Sequence, residues 1–230
     1  MELSQRLKTI AAQVRHRTVA DIGTDHGYIP VYLVESGRID KAAACDIKKG
    51  PWSRAKETID RHGLADRIDL RLGGGLSCVA PGEFETCVIA GMGGMLIIDI
   101  LKESIDCAHA FRQIVLQPQL DVPDIRKFLH TEGFKIDKEE MVLEEHKYYN
   151  ILSCSPGADE KYSEKETLFG KILLEQKDAV LKSSILRKVQ QIEEILARMV
   201  CAENKNAAAF ERINALTRDA ENYREVLRCL

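Results

Sequence analysis

The sequence predicts an α/β protein: a mostly parallel sheet with helices between its strands, followed by an antiparallel α-helical hairpin. Three observations carry that prediction. The stretch Val19-Ala20-Asp21-Ile22-Gly23-Thr24-Asp25-His26-Gly27-Tyr28 reads as a short apolar strand, a glycine turn and the approach to a helix at Ile29. Short apolar runs then alternate with helix-like segments, and the last two runs before residue 155 have no helix between them. Beyond Ser155-Pro156-Gly157-Ala158-Asp159, a natural linker, the strand signal stops and apolar residues recur at helical spacing. The expected domains are residues 1–157 and 158–230.

The elements follow in order. Leu3, Leu7, Ile10 and Val14 are spaced as one face of an amphipathic helix, which argues against a secretory leader. This first helix also carries Arg6 and Lys8, with Arg15, His16 and Arg17 after it. The cluster reads equally as a solvated helix end and as a phosphate-binding patch. After the first strand and turn, a helix over 29–36 ends at Gly37, and Ala42 to Asp46 forms a second strand ending in an acid. Pro51 suits the first turn of a helix to His62, which Gly63 closes. Ile68 to Leu72 is a third strand running into Gly73-Gly74-Gly75-Leu76. Thr86 to Ala90 is a fourth, leading through Gly91-Met92-Gly93-Gly94 into an apolar helix to about Ile105. Ile114 to Leu116 is a fifth strand, and Asp121 is placed to cap a helix through Leu129. The segments 134–145 and 148–154 close the sheet as a hairpin. Leu181, Ile185, Val189, Ile192, Leu196 and Met199 then follow a coiled-coil-like seam. Residues 201–206 read as a turn, and Ile213, Leu216, Ala220, Tyr223, Leu227 and Leu230 repeat the pattern. The longer helix, at some 35 residues, would reach roughly 50 Å.

Composition narrows the partners. A net charge of −3 announces no nucleic acid, so any such partner must be met by a local basic patch. The seven cysteines include no Cys-x-x-Cys pair, which argues against zinc and against a secreted disulfide framework. Cys45 and Cys87 lie in apolar runs and read as core. The chain is expected to be cytoplasmic, without a metal and without a membrane span, as a monomer or weak dimer.

The chemistry starts at the first turn. A dinucleotide site wants Gly-x-Gly-x-x-Gly there, so that a pyrophosphate meets a helix N-terminus. This turn offers Gly23 and Gly27 with Asp21 and Asp25 about them. Carboxylates repel a pyrophosphate but suit a cofactor bearing an amine and a positive centre, as S-adenosylmethionine (SAM) does. Asp46 lies about 20 residues beyond the glycine turn, where ribose hydroxyls are held in nucleoside-cofactor folds. A sheet finishing in a hairpin is the seven-stranded methyltransferase pattern. Gly91-Met92-Gly93-Gly94 follows the fourth strand and lacks a third glycine at dinucleotide spacing, so it points weakly to such a cofactor. A sugar or nucleotide binder of the same fold stands as the alternative.

Taken together, Asp21 to Tyr28, Gly50-Pro51-Trp52, Ile89-Ala90-Gly91-Met92-Gly93-Gly94, Leu116-Gln117-Pro118-Gln119, Tyr148 to Leu152 and the helical hairpin resemble the bacterial tRNA adenine-22 N1-methyltransferases over nearly the whole chain. The resemblance implies a Rossmann-like SAM methyltransferase domain, a C-terminal coiled coil that binds tRNA, and methyl transfer to N1 of an adenine. The candidate cofactor residues are then Asp21, Gly23, Thr24, Asp25 and His26 at the first turn, and Asp46 and Ile47 after the second strand. Gly74, Gly75 and Leu76 follow the third, and Ala90, Gly91, Met92 and Gly93 the fourth. In two places the chain departs from the family pattern. Gly74 stands where an Asn or Asp is usual, so backbone groups would have to meet the adenine. Gln119 stands for an Asn and carries its amide one methylene further out.

N1 of adenine has an in-plane lone pair and no proton, so transfer to it needs no base. Alignment and fixed dipoles would supply most of the catalysis. The candidate catalytic side chains are Asp25, Tyr28, Gln117 and Tyr149. Either tyrosine could stack on a flipped base or simply pack in the core, and Asp25 could meet the cofactor amine or the adenine amino group. The rival readings are a small-molecule methyltransferase, which needs no helical arm, a non-catalytic binding protein favoured by Gly74, and an NAD-dependent oxidoreductase disfavoured by the acidic turn.

Overall fold

The computed structural model describes residues 1–200 and 207–230; the turn expected over 201–206 lies outside the described residues. The chain divides into two compact units, Met1–Leu168 and Phe169–Leu230.

The first unit begins with α1 (Gln5–Gln13), whose N-cap Ser4 accepts a hydrogen bond from the Leu7 amide. The sheet and its helices follow as β1 (Thr18–Ile22), α2 (Tyr28–Glu35), β2 (Lys41–Asp46), α3 (Lys49–Arg61), β3 (Ile68–Leu72), β4 (Thr86–Met92), α4 (Gly94–Glu103), α5 (Ile105–Ala110), β5 (Gln113–Pro118), α6 (Val122–Thr131), β6 (Phe134–Glu144) and β7 (Lys147–Pro156). A one-turn 3-10 helix, Gly75–Cys78, leads away from β3. The seven strands lie in the order β3-β2-β1-β4-β5-β7-β6. The first five pair in parallel, and β7 runs antiparallel to β5 and to β6.

Central strands of such a sheet are covered on both faces, so they read as continuous apolar runs. Ala42 to Cys45, Cys87 to Ile89 and Ile114 to Leu116 are all fully buried. Ile10, Ala11 and Val14 at and just beyond α1 join Val31, Leu33 and Val34 in one core cluster that covers one face. Strand order reverses between β1 and β4. That is the switch point at whose carboxyl edge a parallel sheet leaves a crevice.

Several elements differ from the sequence reading. The helix expected to run to Ile105 breaks at Ser104 into α4 and α5. Asp121 stands at the N-terminus of α6 but makes no capping bond, because its backbone is left-handed at φ 59°. The first unit also continues past the expected linker, as far as Leu168 in α7 (Glu164–Phe169). Arg126, 1% exposed, explains why: it pairs with the equally buried Glu139 at 2.7 Å and donates to the carbonyls of Thr167 and Leu168. One buried ion pair thus binds α6, β6 and α7 together.

The basic cluster near the N-terminus is largely neutralised. Arg15 pairs with Asp137 at 2.7 Å, Arg17 forks onto both oxygens of Asp40, and Lys8 lies 3.6 Å from Glu2.

The second unit contains α8 (Lys171–Glu175), α9 (Ala179–Val200) and α10 (Ala207–Cys229). Its long helices are 22 and 23 residues, or about 33–35 Å at 1.5 Å per residue, shorter than the expected arm. The reason lies before α9, where positive φ at Gly170 and Lys177 interrupts the helical path. Leu181, Ile185, Val189 and Ile192 are buried along α9, as are Ala220 and Val226 on α10, and Arg224 reaches Glu193 at 2.6 Å. Two such helices joined by so short a link run antiparallel. Among the described residues no helix is long and apolar enough to cross a membrane.

Candidate functional site

A cleft of about 840 Å³ opens across the carboxyl ends of β1, β2, β3 and β4, with Arg6 and Leu7 of α1 on its wall. Its floor is the first turn. Gly23 has φ 78° and Gly27 φ 70°, conformations in which a side chain is strained. The amides of Gly23 and Thr24 both donate to the Cys45 carbonyl, at 2.8 and 2.9 Å, tying the turn to β2. A Cβ on Gly23 would come within 2.0 Å of the Met92 methyl, so the bare backbone is what leaves the floor open beneath Met92.

Asp21 is 4% exposed and accepts a hydrogen bond from the Thr24 hydroxyl at 2.6 Å. Burial pushes its pKa up to about 6, the Thr24 hydrogen bond works against that rise, and Asp46 adds a smaller upward push. Asp46, 8% exposed at the end of β2, accepts the Lys48 amide on Oδ1. Its Oδ2 makes no hydrogen bond among the described residues. Asp46 is therefore not the helix N-cap, a position that belongs to Lys48.

Beyond β3 the chain passes through Gly73, Gly74 and Gly75, all in the cleft wall. A Cβ on Gly74 would sit 3.0 Å from the Ile47 side chain, and one on Gly75 3.3 Å from Ile100. Ile47 and Ile100, both in the cleft wall, thus pack directly on this bare backbone and give the glycine slot apolar surfaces. Leu76, a candidate cofactor residue, does not line the cleft: its side chain is buried at 2% exposure.

On the other side of the switch point, β4 carries a bulge. Ala90 pairs with Gln117 and Met92 with Pro118, leaving Gly91 unpaired at φ 76°. Ala90, Gly91 and Met92 line the cleft, and Gly93 stands behind them as the N-cap of α4. Gly94 has no room for a side chain, since a Cβ would meet the Leu120 carbonyl at 2.5 Å. That close approach fixes the loop bearing Gln119, whose backbone N–H donates to the Met92 carbonyl at 2.8 Å and which reaches the cleft wall.

The four candidate catalytic residues are placed differently from one another. Tyr28 lines the cleft, and His26 stacks on it at 4.9 Å between ring centres. Asp25, at φ 43°, is held by Arg54, with His26 3.7 Å away, so its charge is already matched. Gln117 is fully buried behind the wall. Its Oε1 accepts Arg6 Nη1 at 2.7 Å, and its Nε2 donates to the Pro118 carbonyl at 2.9 Å. Tyr149 is half-buried, with the Arg6 guanidinium 5.3 Å above its ring centre. Among the described residues no group of His, Cys, Asp and Glu is suited to a metal ion.

The sequence reading left Arg6 between a solvated helix end and a patch beside the mouth of the site, and missed its bond to Gln117 and the part of Ile100 and Leu96 in the cleft wall. The apolar face of α4 was a visible signal for those two. Nothing local in the sequence could have joined Arg6 to Gln117.

The fold and this cleft define a class. The methyltransferase domain family matches residues 3–152 of the chain, and two acids at neighbouring strand ends facing a glycine slot are what such a domain presents to a nucleoside cofactor. The particular family follows from a curated relative, the tRNA (adenine(22)-N(1))-methyltransferase of Bacillus subtilis, which is 33% identical over 201 residues, 85% of this chain and 84% of that protein. The chain belongs to that family. Solved structures agree along the whole length. Bacillus subtilis TrmK, an m1A22 tRNA methyltransferase, superposes with a TM-score of 0.83 at 30% identity, covering 98% of this chain and 99% of that one. Sp1610 of Streptococcus pneumoniae, solved in complex with S-adenosyl-L-methionine, gives 0.87 at 30% identity, covering 98% and 100%.

Proposed function

We propose that this chain transfers a methyl group from SAM to N1 of adenine 22 in tRNA, in the cytoplasm. One observation carries the reading within the cleft: Asp21 and Asp46, on adjacent strands, open into the same space as the slot at Gly74 and Gly75. A cofactor with a flat base, a ribose and a cationic end meets complementary groups in that order. The apolar glycine stretch with Ile47 and Ile100 beside it fits the adenine, the free oxygen of Asp46 fits the ribose hydroxyls, and Asp21 favours the positive end. Gly74 leaves the adenine to backbone groups and apolar walls. When bound, SAM supplies an electrophilic methyl group on a sulfonium.

The chain's own residues then have a short task. N1 of adenine needs no base, so the protein must hold the ring in line and tolerate the positive charge that forms on it. Tyr28, backed by His26, offers a face for the extruded base, and the Gln119 amide at the rim offers hydrogen bonds to its edge. Gln117 and Tyr149 act through Arg6 as positioning residues. The second unit is read as a tRNA-binding arm; Lys182, Lys188, Arg212 and Arg218 are exposed along its helices among comparable numbers of acids. An oligomer larger than a weak dimer is not needed for this task.

Incubation with unmodified tRNA and SAM, followed by mass analysis of the nucleosides, tests the reading. N1-methyladenosine should appear with a tRNA bearing adenine at position 22 and not with one bearing guanine there. Methylation at another position, or binding of NAD in preference to SAM, would overturn it.

A further inference from the structure

Exposed apolar side chains are ordinary when scattered over a surface. Here three large ones stand together at the mouth of the cleft. Met95 and Leu96, at the start of α4, are each 52% exposed, and Leu120, in the loop between β5 and α6, is 67% exposed. Gly94 brings them together, because its missing side chain lets the Leu120 carbonyl and the Asp121 Cβ close against the first turn of α4. Leu96 lines the cleft together with Met92 and Gln119, so the patch continues the β4 wall outward.

The loop that presents Leu120 is braced from both sides. The Gln119 backbone N–H donates to the Met92 carbonyl at 2.8 Å, and the Asp121 carbonyl accepts the N–H groups of Asp124 and Ile125 at 3.0 and 3.1 Å. Asp121 itself is held at φ 59°, a left-handed conformation that costs a residue other than glycine energy. A leucine displayed on so constrained a turn is pre-organised for a contact outside the chain.

Charge indicates the kind of contact. Residues 91–101 and 113–125 contain no lysine or arginine; their charged residues, Asp99, Asp121 and Asp124, are all exposed acids. Lys127 on α6 is paired with Asp124 at 3.7 Å, and Lys102 stands about two turns along α4 from Met95. Such a surface repels an RNA phosphate, but it suits the face of a base, which is apolar and carries no charge.

We infer that Leu120, backed by Met95 and Leu96, is a wedge that enters the tRNA base stack beside the target adenine and fills the gap the extruded base leaves. This rests on the reading of the chain as a tRNA adenine methyltransferase. N1 lies on the pairing edge of the ring, so the base must leave its stack before N1 can face a sulfonium methyl. Unstacking costs energy, and an apolar side chain inserted in the gap offsets part of it. The neighbours of a base held inside the cleft must stand at its mouth, where the patch lies. Leu120 is thus a positioning residue that acts on the RNA around the target.

The test uses the full chain and a tRNA carrying 2-aminopurine immediately 3′ of adenine 22. This base brightens when its neighbour leaves the stack. Wild type, Leu120→Ser and Leu120→Met are compared at saturating protein with S-adenosylhomocysteine, and methylation of unlabelled tRNA is followed in single turnover with SAM. Leu120→Ser should bind S-adenosylhomocysteine within about twofold of wild type, lose most of the brightening, and methylate roughly tenfold to a hundredfold more slowly, the equivalent of one buried leucine. Leu120→Met should restore most of both signals. Unchanged brightening and rate in Leu120→Ser would overturn the inference. So would a slower rate with full brightening, which puts the defect after extrusion, or a weaker tRNA affinity with an unchanged rate at saturation, which makes the patch a docking contact. A wild-type dimer that Leu120→Ser converts to monomer would assign the patch to a second copy of the chain and overturn it as well. Failure of wild type to methylate any tRNA is a separate result, which removes the tRNA reading and the wedge with it.

Discussion

Asp21→Asn should make the free protein more stable and the cofactor site worse. The carboxyl is buried, and its pKa rises from 3.8 to about 6 because burial penalises the charged form. The folded state therefore binds the proton more tightly than the unfolded state. Stability is lost as pH rises from the unfolded value through the folded one, and the full penalty stands above pH 6. At 1.36 kcal/mol per pH unit that penalty is about 3 kcal/mol at neutral pH. An asparagine oxygen can still accept the Thr24 hydroxyl, so most of the penalty should return as stability. Urea denaturation of the free protein at pH 7.5 should show Asp21→Asn more stable by about 2–3 kcal/mol, shrinking to about 1 kcal/mol at pH 4.5, where the wild-type acid is protonated when folded. Calorimetry with S-adenosylhomocysteine should show the reverse order. The variant binds weakly at every pH, whereas wild type weakens as pH falls through about 6. A variant no more stable than wild type at pH 7.5, or equally advantaged at both pH values, would show that Asp21 carries no desolvation penalty.

Three further outcomes are expected. Asp46→Ala should lower S-adenosylhomocysteine affinity roughly tenfold or more by removing charge-assisted hydrogen bonds, with little change in the denaturation midpoint; unchanged affinity rejects its assignment to the ribose. Arg126→Met or Glu139→Leu alone should cost about 3–5 kcal/mol, because each strands a buried charge, and the double variant should cost less than either single one; additive losses in a double-mutant cycle would refute the pair. Truncation after Leu168 should leave S-adenosylhomocysteine binding intact and weaken tRNA binding, whereas truncation after Asp159 should destabilise the first unit by removing the carbonyl partners of Arg126 and buried Tyr162. Equal denaturation midpoints for the two truncations would assign residues 160–168 no structural part.

What the sequence by itself determined is what local chemistry writes. A glycine forced to positive φ, an acid at a strand end and an apolar run covered on both faces each leave their mark within a few residues. The turn at Gly23, Asp46 and the course of β1 to β5 were legible for that reason, and the closing hairpin with them. Tertiary structure decided what depends on partners far apart in the chain. Arg6 meets Gln117 across 111 residues and Glu144 across 138, which turned an apparent surface cation into a wall of the cleft. The same contact turned Gln117, a candidate for the reacting side, into a buried brace whose amide is already engaged. Arg126 reaches Glu139 and Thr167 across 13 and 41 residues, and so carries the first unit past a linker that composition marked as its end. Charge behaved likewise at Arg15 and Arg17, whose carboxylate partners lie 122 and 23 residues away. A sequence shows that a side chain is charged; only the packed fold selects the opposite charge within reach, and with it whether that charge is free to meet a ligand.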